Sequence, residues 1–110
     1  MSEPMLVLTT VAATADADTL ARSLVTERLA ACVNVLPVMQ STYRWKDAVE
    51  VETERQLLIK TASDRIDQLR DRLLALHPYD VPEFLILALD GGSAAYLAWL
   101  VQSTRPAPHD

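Results

Sequence analysis

Residues 49–60, VEVETERQLLIK, alternate with a period of two. Val49, Val51, Thr53, Leu57 and Ile59 share one face with Arg55, and Glu50, Glu52, Glu54, Gln56 and Lys60 share the other with Leu58. That pattern predicts a β-strand with one dry and one wet face. Just before it, Cys32–Trp45 is rich in β-type residues and is interrupted by Pro37. Proline cannot donate to a ladder, so a bulge or an edge is expected there. The short polar stretch KDA at 46–48 joins the two runs into a hairpin. Each strand is about twice the typical length of about 5–6 residues. At about 3.3 Å per residue each would span roughly 40 Å, whereas a compact 100-residue domain has a radius of gyration of about 13 Å. The ribbon must therefore overhang its own core while carrying Tyr43, Trp45, Val49 and Val51. Exposed apolar ribbons aggregate unless something covers them, and a second copy of the chain is the simplest cover.

Working outward, Met5–Val11 reads as a buried strand. Thr14 or Asp16 is placed to cap a helix. Leu20, Leu24, Arg28 and Ala31 then recur at helical spacing, predicting a helix that ends near Ala31. Downstream, Ser63 is the expected cap of a second helix, with Ile66, Leu69, Leu73 and Leu76 as its buried stripe. Pro78 stops that helix. EFLILAL at 83–89 has the continuous apolar character of a short central strand, and Ser93 precedes a last helix over Ala94–Val101. The order is β-α-β-β-α-β with a helix added at the C-terminus. Two interleaved split β-α-β units predict an α+β, ferredoxin-like fold, with both main helices on one face of a four-stranded antiparallel sheet. The 110 residues make one domain, in which 104–110 are expected to form a flexible, Pro-rich tail.

Composition excludes several classes of function. Half of the residues are hydrophobic and 23% are charged, so the chain can build a core. The net charge is −5 and the ten basic residues are scattered, which disfavours nucleic-acid binding. No segment approaches the ~18 apolar residues of a membrane span. The N-terminal MSEPMLVLTTV lacks the basic region of a signal peptide. A single cysteine, Cys32, excludes an intramolecular disulfide and suits a reducing cytoplasm. The chain has no glycine-rich phosphate loop, no G-x-S-x-G, no H-E-x-x-H and no C-x-x-C, and two adjacent glycines give a nucleotide cradle little to be built from.

Three features remain as candidate sites. Cys32 lies where the first helix meets the second strand, a place that suits a small buried hydrophobe. Glu50, Glu52 and Glu54 point the same way, as a row of ligands for a hard cation would. Such a row is more often a solvated face paired with cross-strand Lys or Arg. LHPYDVPEF at 76–84 is a helix stop stiffened by two prolines, and it also holds His77 on ordered structure beside acidic residues. Imidazole is a good Cu(II) ligand, so His77 is the candidate metal residue.

ACVNVLP at 31–37, STYRWK at 41–46, LLIKT at 57–61, LHPYDVPE at 76–83 and YLAWL at 96–100 together resemble the CutA divalent-cation tolerance family. The resemblance runs from the first strand to the last helix. It implies a ferredoxin-like protomer in a tight homotrimer, similar in architecture to the PII signalling proteins, with the long hairpin and the strand after H-P-Y extending sheets between subunits. It also implies a link to tolerance of copper and other divalent metals, and no enzymatic activity. Asp47 stands where many members carry glycine in the hairpin turn. Bacterial members with a proposed copper site offer a cysteine at the end of strand one and paired histidines before P-Y. The matching positions here are Thr9, Leu76 and His77, so one of the three ligands is kept.

The expected function is that of a cytoplasmic homotrimer, not an enzyme, in the response to divalent metal ions. No tightly bound cofactor is expected, and Cu(II) or another divalent cation would bind weakly at His77. The partner is the chain itself, without nucleic acid or membrane. The rival reading is a PII-like signalling or small-ligand module. Its cleft at the subunit boundary would be formed by Tyr43, Lys60, Tyr79 and Glu83 with Trp45 from a neighbouring hairpin. A small enzyme on the same fold ranks last, for want of an evident acid–base pair.

Overall fold

The computed structural model describes residues 2–107. The elements are β1 (Pro4–Ala12), α1 (Ala17–Thr26), β2 (Cys32–Trp45), β3 (Ala48–Ala62), α2 (Ile66–Leu76), β4 (Leu85–Ala88) and α3 (Ala94–Gln102). The sheet order is β2-β3-β1-β4, and every neighbouring pair is antiparallel. This is the expected ferredoxin-like arrangement.

The alternation of β1 and β3 sorts their side chains between the two faces. Val7 pairs with Ile59 and Thr9 with Leu57, and all four are fully buried. They meet Ala17 and Leu24 of α1 and Ile66, Leu69 and Leu73 of α2 in the core. The other face carries Lys60, whose Nζ stands 5.7 Å from the ring centroid of Tyr96 on α3. The third helix therefore lies across the sheet from the other two.

The hairpin is as long as its alternation requires, with 14 residues in β2 and 15 in β3. It draws the molecule out to 48 × 33 × 23 Å. The register shifts by one residue between Val35 and Val38, so the bulge expected at Pro37 is present. Arg55 Nε donates to the Leu36 carbonyl at 3.0 Å and ties the bulge down. At the tip, Lys46 and Asp47 both take positive φ (48° and 65°), the backbone of a tight two-residue hairpin turn.

Four local expectations need correction. The first helix ends at Thr26, because Arg28 adopts a left-handed φ of 61° and the Leu29 N–H turns back to the Leu24 carbonyl at 3.0 Å. Of the two cap candidates, Asp16 serves, accepting from the Thr19 N–H at 3.1 Å. Ser63 opens a 3₁₀ turn (Ser63–Arg65) before α2, and its Oγ accepts from the Glu3 N–H at 2.8 Å. The apolar run at 83–89 yields a four-residue edge strand, with Leu85, Ile86 and Leu87 exposed at 53%, 48% and 42%. Its apolar character has no counterpart in the burial of a single chain. The region expected to be a tail stays attached for two further residues. Thr104 is fully buried, and Arg105 bonds Asp64 through both Nη atoms at 2.8 Å. His109 lies outside the described residues.

Candidate functional site

Pro78 ends α2 and sends residues 77–84 back across the end of the sheet, where three side chains fix them. His77, 8% exposed, places Nε2 2.7 Å from the Thr10 carbonyl oxygen. Its Nδ1 accepts from the Tyr79 N–H at 3.2 Å. A carbonyl partner requires Nε2 to carry the proton, so Nδ1 holds the lone pair, and both ring nitrogens are engaged. The Tyr79 hydroxyl donates to Glu54 Oε2 at 2.9 Å. Gln56 Nε2 donates both to the Thr9 carbonyl at 2.7 Å and to Glu83 Oε2 at 2.9 Å. The H-P-Y-x-x-P-E stretch is thus stitched to β1 and β3 at its beginning, middle and end.

Between this loop and the hairpin lies a groove of about 560 Å³. Tyr43, Trp45 and Tyr79 supply aromatic wall, and Glu54, Asp80 and Glu83 supply carboxylates. Burial and the hydrogen bond to Glu54 push the Tyr79 phenol up to about 12. Burial, helped by Glu52, Glu50 and Glu54, also raises Tyr43. Both phenols therefore stay neutral across the physiological range.

Four of the five residues expected in a cleft, Tyr43, Trp45, Tyr79 and Glu83, come together here within one chain, Trp45 included. Lys60 shares the face of Glu54 but does not join them, because it stands six residues further along β3, opposite Cys32 and Leu6 and under Tyr96. The glutamate row is also not one uniform solvated face. Glu52 is exposed, Glu50 half-buried and Glu54 7% exposed. Their cross-strand partners are Ser41, Tyr43 and Met39, so the expected lysines or arginines are not opposite them. Gln56 is the residue that pattern reading missed, and Glu54 was singled out only as one of the glutamate row. Both lie on the polar side of the alternation, and only the return of the chain at Tyr79 and Glu83 distinguishes them from their neighbours.

The positions matched to a copper site do not converge as ligands. Thr9 is buried in the core with an unpartnered hydroxyl, and Leu76 is 43% exposed. Among the described residues no three His, Cys, Asp or Glu side chains are grouped so as to hold a metal ion. Cys32 is half-buried and free. No helix among the described residues is long and apolar enough to cross a membrane.

Comparison with known proteins agrees with this geometry. Residues 5–103 match the family model described as CutA1 divalent ion tolerance protein. The divalent-cation tolerance protein CutA of Thermus thermophilus is 46% identical over 98 residues, covering 89% of this chain and 95% of that one. The chloroplastic CutA 1 protein of rice is 45% identical over 86 residues, and this chain spans 49% of its length. The solved Thermus thermophilus structure superposes with a TM-score of 0.89 at 44% identity, covering 93% of this chain and 99% of that one. With the fold and nearly the whole length in agreement, the chain belongs to the CutA divalent-cation tolerance family.

Proposed function

We propose that the protein works as a cytoplasmic homotrimer in the tolerance of divalent metal ions. The observation that carries the assembly is β4, an edge strand whose Leu85, Ile86 and Leu87 are all exposed, on both of its faces. An apolar strand with an open hydrogen-bonding edge invites addition of another chain. Val49 and Val51 on the ribbon, 64% and 52% exposed, need the same cover. The single Cys32 suits a reducing compartment. Copper binding belongs to this proposal in a restricted form. His77 coordinates Cu(II) only by exchanging its bond to Tyr79 or to Thr10, so binding is weak. Native mass spectrometry of untagged protein, purified without metal and then titrated with Cu(II), is the test. Three subunits and a weakly held copper ion are expected. A monomer at micromolar concentration overturns the assembly, and no copper uptake overturns the metal reading.

The groove favours a second reading, a module for a small ligand. It is formed within one chain by aromatic and acidic side chains, and His77, the candidate metal residue, does not line it.

A further inference from the structure

We draw no further inference here: the strongest candidate, the apolar cleft of about 350 Å³ between α1 and the H-P-Y turn, lined by Val11, Leu20, Leu76 and Pro78, has its Asp16 and His77 already engaged by Thr19, Thr10 and Tyr79, and nothing in the structure shows what covers it.

Discussion

The Tyr79 hydroxyl lies 2.9 Å from Glu54 Oε2, joining the loop after α2 to the root of the hairpin overhang. Twenty-five residues separate the partners, so the bond closes a long excursion of the chain. Tyr79→Phe removes a hydrogen bond to the Glu54 carboxylate. A loss of about 1–2 kcal/mol is expected in urea unfolding at neutral pH. The pH dependence follows from the raised phenol. Unfolded chains release the Tyr79 proton near 10 and the folded chain near 12. The stabilisation is therefore full below about pH 10 and declines between about 10 and 12. Tyr79→Phe should flatten that part of the stability profile. An unchanged alkaline limb would mean that the hydroxyl is not held as described.

At the other pole of the domain, Arg105 holds Asp64 well below the usual carboxylate range, at about 2, against the opposing effect of burial. A lowered acid stabilises the fold above the unfolded value of 3.8, and that contribution is lost as pH falls toward 2. The pair is 29% and 40% exposed, so solvent screening keeps it small. Arg105→Ala should cost about 0.5–1 kcal/mol at pH 7. The difference from wild type should shrink between about pH 4 and 2. A parallel offset at all pH values would assign the loss to packing around Thr104 instead of to charge.

The edge strand gives the third prediction. Leu85→Lys places a charge on the most exposed of the three large β4 side chains, where a single chain buries little. Protomer secondary structure should survive, while light scattering after size-exclusion chromatography should show smaller species than the three subunits expected of the parent. Charged edges are how natural sheets resist strand addition. Retention of the parental mass would place the subunit contact elsewhere.

These cases also show what the sequence could reveal. The period-two alternation of Val49–Lys60 announced both the hairpin and its overhang, because parity alone determines a strand's two faces. Parity could not separate Glu54 from Glu52, since they share a face and differ only in what the chain later lays over them. EFLILAL suggested a central strand because a continuous apolar run implies cover on both sides. In the protomer β4 is an edge, so the pattern records burial that one chain does not provide. Arg28 escaped notice for a simpler reason. Helices often end at a glycine with positive φ, and here an arginine takes that conformation.

His77 combines the structural and metal readings in one ring, and the two can be measured separately. His77→Ala strands the Thr10 carbonyl and the Tyr79 N–H at a site where the ring was 8% exposed. Leaving such groups unpaired should cost about 2–3 kcal/mol. Thermal melts of wild type and variant would show it, and an unchanged melting point would refute the pinning role. Copper is read independently, by titrating both proteins after removal of residues 108–110, which include His109. Wild type should bind Cu(II) weakly, since coordination must displace the Tyr79 N–H from Nδ1 or the Thr10 carbonyl from Nε2. Acid should weaken it further, because protons compete for the same lone pair. The variant should bind less at every pH. Equal copper binding with a lowered melting point would leave His77 as the pin that holds the H-P-Y turn against β1, and would remove it from the metal chemistry.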